Sequence, residues 1–167
     1  VTIDATSKID VSGRGYLGGW RSGNSTNVGR TIEGSLKNTN NGGSDYYTGG
    51  SYGGLGGAYS SNRVNAAYGD LADPNNLGSG GGGNSSSNGG FWGDNGGGLV
   101  RLQAQELVLD GQILANGMGS TYRGSGSGGG IRLDVGTLSG SGQIQALGGR
   151  TSHDTGSGGG GRIAIHY

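Results

Sequence analysis

The chain has 167 residues, 45 of them glycine, and its eleven basic and eleven acidic residues give a formal net charge of zero. This length predicts a single domain spanning residues 1–167, and the neutral balance argues against a nucleic acid or another polyanion held by bulk charge. The absence of cysteine excludes disulfide bonds and thiolate metal sites. No apolar run approaches the ~20 residues of a membrane-spanning helix, so no membrane insertion is expected.

Residues 1–15 resemble the second half of a repeat that occurs in full later in the chain. Ile3 aligns with Leu107 and Ile9 with Ile113 without a gap. The chain therefore begins with half a repeat, and it opens on valine rather than methionine. We expect a processed mature form or a segment of a longer protein.

Residues 16–98 form an insertion rich in glycine, serine, asparagine and tyrosine. A structureless loop of this length is improbable in a compact domain. We therefore expect its glycine runs, 49–57, 78–83 and 89–98, to pack as extended polyglycine or as short edge strands against the repeats.

Aromatic residues flanked by glycine are the most informative feature of the insertion. Flat rings on glycine-rich loops suit stacking on sugar faces, and the abundant asparagine and serine supply adaptable hydrogen bonds. The alternative is that the rings cover polyglycine backbone and form a small core of their own. The candidate glycan-stacking residues are Trp20, Tyr46, Tyr47, Tyr52, Tyr59 and Trp92.

Two full repeats, 99–117 and 131–149, follow the insertion. The stretches VRLQAQELVLDGQILANG and IRLDVGTLSGSGQIQALG align without a gap, 31 residues apart. A fixed period in this range indicates a solenoid or a stacked array. Apolar residues alternate within each copy, which is the spacing of strands with one buried face.

Each copy is predicted to contain two strands. In the first copy they cover 100–104 and 107–115, with a bend near Gln105 and Glu106. Gly111 would lie inside the second strand and mark a kink or bulge.

Residues 162–167 repeat the first strand of the unit, so the chain also ends on half a repeat. A strand stack with bare ends exposes apolar side chains and unpaired backbone, which proteins normally cover. Three arrangements are possible: the chain belongs to a longer array, its terminal strands close one sheet, or copies stack head to tail into fibres. The side chains that would take part in self-association are Val1, Ile3, Ile163, Ile165 and Tyr167.

The motifs that could carry chemistry have simpler explanations. Residues 124–129 match the dinucleotide fingerprint G-x-G-x-x-G, but that fingerprint requires a following helix, and here a strand follows. The Ser-His-Asp sequence at 152–154 places three triad residue types side by side, whereas catalytic triads converge from separate segments. Asp134 is replaced by Gln103 in the other copy, as expected of a solvent-facing position. We predict no catalytic residues and no cofactor.

Two interpretations stay open beside that prediction. Stacked strands could bring two carboxylates within the ~5–9 Å used by glycosidases, so a polysaccharide-degrading enzyme remains an alternative. Its candidate carboxylates are Asp4, Asp10, Glu106, Asp110 and Asp134. Asp70 and Asp73 could offer oxygen ligands to calcium, although they lack the spacing of an EF-hand loop. A turn anchored by Pro74 is the simpler reading of that segment.

The fold class predicted from these patterns is all-β, as a parallel β-solenoid (β-helix) of about three rungs with long glycine-rich loops. Alternating strands do not reveal the direction of pairing. A glycine-rich β-sandwich, with the two strands of each repeat on opposing sheets, is therefore the alternative.

The sequences GSGGGIRLDVGTLSGSGQIQALGG and GSGGGGRIAIHY resemble the glycine-rich repeats of large bacterial secreted and cell-surface proteins. The segments YGDLADPNNLGSGGG and IDVSGRGYLGG also resemble parts of such proteins. The resemblance implies a β-helix-like extracellular module of adhesins or of extracellular matrix, with a structural or adhesive role and with surface glycans or other copies of itself as partners. A carbohydrate-binding module is the alternative. The long insertion exceeds the short loops of those repeats.

Overall fold

The regular secondary structure consists of strands. The computed structural model describes residues 1–84 and 90–167, and within them it contains no helix, so the all-β class is confirmed. The same residues accordingly hold no helix that could cross a membrane. The strands are β1 (Thr2–Ile3), β2 (Lys8–Asp10), β3 (Thr31–Glu33), β4 (Leu36–Thr39), β5 (Leu99–Leu109), β6 (Gln112–Leu114), β7 (Gly130–Ser139), β8 (Gln143–Gln145) and β9 (Arg162–His166).

Two parallel sheets carry the repeated sequence. One has the strand order β1-β5-β7-β9 and the other β2-β6-β8, while β3 and β4 form a separate antiparallel hairpin. Leu102 pairs with Leu133 in the first sheet and Ile113 with Ile144 in the second. Identical residues of the two copies therefore lie side by side, in the parallel direction that alternation alone could not reveal.

The corner within each repeat lies later than the sequence indicated. β5 is continuous across Gln105 and Glu106, so the predicted bend there is wrong, and the chain turns instead at Asp110 and Gly111. A Cβ on Gly111 would lie 2.1 Å from the carbonyl oxygen of Ser7. This glycine belongs to a tight corner rather than to a bulge within a strand.

The first strand is shifted by one pleat from its predicted alignment. Ile9 pairs with Ile113 as expected, but Ile3 pairs with Leu109 rather than with Leu107. The turn between β1 and β2 is longer than the corresponding corner between β5 and β6. A two-residue slip keeps the same side chains on the buried face, so the apolar pattern could not detect it.

Apolar side chains from both parallel sheets form one buried cluster. Full burial of such a side chain contributes ~1.5–3 kcal/mol. Ile3 belongs to this cluster, so its side chain is not available for self-association, and Ile165 packs against it. The buried members are Ile3, Val100, Leu107, Leu109, Ile113, Ala115, Ile131, Leu133, Val135 and Ala146.

The glycine runs pack as extended chains that hydrogen-bond to several neighbours. In the run 78–83, Gly78 and Gly81 both donate their N–H groups to the segment 94–97, and two other glycines of the run donate to the segment 27–30. The same neighbour thus recurs at every third residue. This is the geometry of extended helices with three residues per turn and no internal hydrogen bonds.

These runs form a second packed region, which we call the glycine bundle. A Cβ on Gly81 would lie 2.1 Å from the carbonyl oxygen of Gly124, so backbone meets backbone with no space between. The expected extended packing of the runs is confirmed for 78–83 and for the described part of 89–98, whereas the run 49–57 folds back on itself, with Gly49 donating its N–H to Gly57. The bundle comprises residues 14–19, 27–30, 47–57, 78–83, 93–98, 124–129 and 156–161.

The four-stranded sheet is open. β1 and β9 lie at its opposite edges, so the expectation that the terminal strands close one sheet is wrong. β1 pairs with the last residues of β5, and β9 pairs with the first half of β7.

Candidate functional site

Aromatic rings from five separate stretches of the insertion and the following loops meet at one surface. Neighbouring ring centroids lie 4.2–6.3 Å apart, a spacing typical of favourable aromatic pairs. We call this set the aromatic cluster, and it comprises Tyr46, Tyr47, Tyr59, Phe91, Tyr122 and His153.

The glycine bundle holds the cluster in place. The carbonyl oxygen of Tyr47 accepts the N–H of Gly156 at 2.8 Å, and its hydroxyl accepts a hydrogen bond from Nδ2 of Asn84 at 2.6 Å. Tyr122 and His153 precede two bundle runs at equivalent places in loops 31 residues apart. Their rings stack with centroids 4.2 Å apart and planes inclined by 27°.

Two adjacent tyrosines of the cluster have a strained backbone. Tyr46 has φ = 24° and Tyr47 has φ = 63°, in the left-handed region that residues other than glycine rarely adopt. Each such residue costs on the order of 1–3 kcal/mol, and such strain concentrates at functional sites. The bundle contacts of Tyr47 hold this conformation, which directs neighbouring rings to the same surface.

The cluster borders a shallow cavity of about 230 Å³. Its walls are the rings of Tyr47, Tyr59, Phe91 and Tyr122 together with the loop residues 153–155. The lining therefore combines flat apolar faces with a few hydrogen-bonding groups, namely phenol hydroxyls, one carboxylate, one threonine hydroxyl and one imidazole. Binding sites for small ligands commonly have this composition.

Among the residues that the structure describes, the cavity lining carries a carboxylate, Asp154, and no lysine or arginine. Burial raises the pKa of Tyr47, an effect that the neighbouring rings of Tyr46 and Tyr59 increase. The hydrogen bond from Asn84 acts in the opposite direction. A surface of tyrosine and phenylalanine rings beside one carboxylate favours neutral polyhydroxylated ligands over anionic ones.

The structure separates the sequence-predicted aromatic residues into groups. Tyr46, Tyr47 and Tyr59 meet in the aromatic cluster, as a shared site requires. Tyr52 is fully buried, with its ring 4.9 Å from that of Tyr68, so its assignment as a glycan-stacking residue is wrong. Its ring fills space beside the bundle, which is the alternative that the sequence left open.

The two tryptophans lie elsewhere. Trp20 is half-buried and lines a separate shallow cavity with Arg21 and Asn24. Trp92 is partly exposed next to Phe91 in sequence, yet Phe91 is the residue whose ring packs against Tyr47 and Tyr122.

Sequence reasoning missed three members of the cluster: Phe91, Tyr122 and His153. Phe91 is adjacent in sequence to Trp92, and the prediction named only the larger tryptophan ring. Tyr122 and His153 lie outside the insertion, in the two loops after the repeats. Their equal positions 31 residues apart were the available signal, because parallel repeats stack equivalent positions on each other.

The calcium candidates have other partners. The Asp70 carboxylate accepts the N–H groups of Ala72 and Asp73 at 2.7 and 3.1 Å, and these bonds lower its pKa. Asp73 forms an ion pair with Arg132. The segment is thus a side-chain-capped turn, and among the described residues no group of three or more acidic, histidine or cysteine side chains gathers there or elsewhere.

The carboxylates of the repeats are tied to their surroundings. Asp134 accepts hydrogen bonds from Nε and Nη2 of Arg132 at 2.8 and 2.9 Å, and these bonds lower its pKa. A general acid needs the opposite shift, toward the working pH. Asp110 accepts the N–H of Ser141 at 3.1 Å on the exposed corner of the repeat.

Comparisons of the chain with protein-family models, with curated proteins and with solved structures returned no match.

Proposed function

We propose that the chain is an extracellular structural and adhesive module that contacts glycans through the aromatic cluster. The observation that carries the proposal is the convergence of exposed rings on one surface, two of them on strained backbone. Planar apolar faces flanked by hydrogen-bonding groups match the alternating apolar and hydroxyl-bearing faces of sugar rings.

The scaffold in this proposal is a parallel β-solenoid of about three rungs. The continuous parallel register from β1 to β9 and from β2 to β8 supports it, since repeated units stack copy on copy in such folds. The sequence resemblance to repeats of bacterial secreted and surface proteins supports a secreted or cell-surface location.

Neutral hexose polymers are the expected ligand class. The described lining of the cavity beside the cluster has none of the basic side chains that acidic polysaccharides require, and it contains Asp154, which would repel them. A binding surface of this kind suits many weak contacts along a polymer, so single sugars should bind weakly and multivalent displays strongly.

The test is binding of the purified chain to immobilised neutral and acidic polysaccharides. Phe91→Ala and Tyr122→Ala should each weaken binding about tenfold, since loss of ring stacking of ~1.4 kcal/mol corresponds to that factor. Trp92→Ala is the matched control, because Trp92 is 39% exposed and Phe91 38%, and only the phenylalanine ring belongs to the cluster. It should leave binding unchanged.

Three results would count against the proposal: no binding to any polysaccharide, unchanged binding in both cluster variants, or equal loss in the Trp92 control. The same incubations, read for new reducing or unsaturated ends, address the enzyme alternative. Product formation that disappears in Asp134→Asn or Asp110→Asn would replace the adhesive proposal with catalysis.

A further inference from the structure

Both parallel sheets end in strand edges that no described residue pairs with. At one end of the stack, which we call the upper edge, lie β1, β2 and the first half of β5. At the other end, the lower edge, lie β9, β8 and the last residues of β7. Unpaired N–H and C=O groups on such edges are a template for a further strand.

The two edges are complementary in outline. β9 covers residues 130–134 of β7 and leaves the end of that strand open. β1 pairs only with residues 108 and 109 of β5 and leaves the beginning of that strand open. When two copies are stacked, β9 of the first would therefore lie beside the open beginning of β5 in the second, and β1 of the second beside the open end of β7 in the first. The two half-length strands would not overlap.

The register within the chain continues across such a junction without adjustment. Val100, Ile131 and Ile163 form one row across the first sheet, so the Val100 of a second copy would follow Ile163. Ile9, Ile113 and Ile144 form one row across the other sheet, so the Ile9 of the second copy would follow Ile144. A single placement of that copy satisfies both sheets.

The side chains at the edges support the same junction. Val1 is 60% exposed at the upper edge, and Leu138 and Ile163 are 36% and 39% exposed at the lower edge. Thr2 pairs with Val108 and Val108 with Ser139, so the three residues share one row. Thr2 of the second copy would therefore follow Ser139 of the first, and Val1 of the second copy would lie beside Leu138. Apolar groups at both edges would leave water on contact, which favours association.

The backbone at both edges points its donors outward. Arg162 donates its N–H to Gly129, the residue before β7, so by alternation Ile163 directs its N–H and C=O away from β7. Gly130 donates to Gly98 in the same way. Leu99 pairs with Gly130 and follows Gly98, which faces β7, so the N–H of Leu99 points the opposite way, to the open upper edge. By the same alternation, Arg101 and Gln103 also direct their N–H groups to that edge.

We infer that the lower edge of one copy binds the upper edge of a second copy of this chain through parallel strand pairing, which produces head-to-tail filaments. The two contact surfaces are different, so each copy keeps one edge free, and the interaction extends rather than closing at a dimer. This assembly is independent of the aromatic cluster and of glycan binding.

The test uses one proline at each edge. Gln103→Pro removes an outward N–H at the upper edge, and Ile163→Pro removes one at the lower edge. Proline is tolerated on an edge strand when the lost N–H points away from the sheet. Gln103→Ala and Ile163→Ala are the controls, because they remove the same side chains and keep the N–H groups.

Sedimentation velocity over a concentration series and electron microscopy should show filaments for the wild type and for Gln103→Ala. Ile163→Ala should still form filaments, but only at higher concentration, because it loses an apolar contact and keeps the N–H group. Each proline variant alone should be monomeric. A one-to-one mixture of the two should form a dimer and nothing larger, because each variant keeps one intact edge of opposite kind.

A wild type that stays monomeric at millimolar concentration would overturn the inference. Assembly of either proline variant alone, with its fold intact by circular dichroism, would indicate like-with-like pairing and would also overturn it. A mixture that stays monomeric while both variants are folded would do the same.

Discussion

The two packed regions of this molecule exclude water by different means. The parallel sheets bury leucine, isoleucine and valine side chains in one cluster. The glycine bundle buries backbone and small polar side chains, with Ser51, Ser79 and Ser127 fully enclosed. A sequence poor in large apolar residues can therefore still fold, because close backbone contact and hydrogen bonds replace side-chain volume.

A polar centre lies beside the bundle, whereas the centre between the sheets is apolar. Asn65 is buried, and its Oδ1 accepts the N–H of Ser51 at 2.7 Å and the hydroxyl of Ser44 at 2.8 Å. Its Nδ2 donates to the hydroxyl of Thr31 at 3.1 Å. Such a network stabilises a structure when its groups are paired and destabilises it when one is removed. Substitution should therefore affect the two regions in different ways.

The largest expected effect is truncation in the apolar cluster. Leu133 is fully buried, and Leu133→Ala should lower the free energy of unfolding by about 4 kcal/mol, through lost burial and the cavity left behind. Leu133→Met keeps the volume and should cost less than ~1.5 kcal/mol. Urea denaturation measures both, and equal losses in the two variants would show that volume does not govern this region.

The same denaturation curves address whether the regions unfold together. Both tryptophans lie in the insertion, so their fluorescence reports on the bundle side, and circular dichroism reports on the strands. Since the runs 124–129 and 156–161 continue into β7 and β9 and also bond to the insertion, the two signals should change at one midpoint.

The next largest effect is expected from adding side-chain volume in the glycine bundle rather than removing it. A Cβ on Gly159 would lie 2.1 Å from the carbonyl oxygen of Gly54, whereas a Cβ on Gly160 would meet nothing within 4 Å. Gly159→Ala should lower the free energy of unfolding by about 3 kcal/mol, at the upper end of overpacking costs. Gly160→Ala should change it by less than ~0.5 kcal/mol. Similar values for these adjacent positions, measured by urea denaturation, would contradict close backbone packing.

Alternation made the strands of this fold predictable, whereas tertiary contacts decided their limits. The pattern in the two copies predicted all-β structure, but the corner at Asp110 and Gly111 depends on the close approach of Ser7, which lies far away in sequence. The slip of Ile3 was invisible because a two-residue shift preserves the buried face.

The candidate site was predictable in part for a related reason. Tyr46, Tyr47 and Tyr59 were identifiable as rings next to glycine. Their convergence with Tyr122 and His153 depends on which bundle runs lie side by side, and glycine runs of nearly uniform sequence carry no information about register. The burial of Tyr52 has the same origin, since its neighbours come from the glycine-rich segments around it.

The smallest expected effect concerns an exposed carboxylate at the end of β2. The N–H of Ser12, the hydroxyl of Ser12 and the ammonium of Lys8 act on Asp10 and lower its pKa from 3.8 to about 2. A depressed pKa in the folded state means that this carboxylate stabilises the fold above about pH 4, and that the contribution is lost as the pH falls toward 2. The group is largely solvated, so screening keeps the contribution small. Thermal unfolding of the wild type and of Asp10→Asn should therefore differ slightly at about pH 5 and converge at about pH 2. A difference that does not change with pH would show that packing of the side chain, rather than its charge, stabilises this end of the sheet.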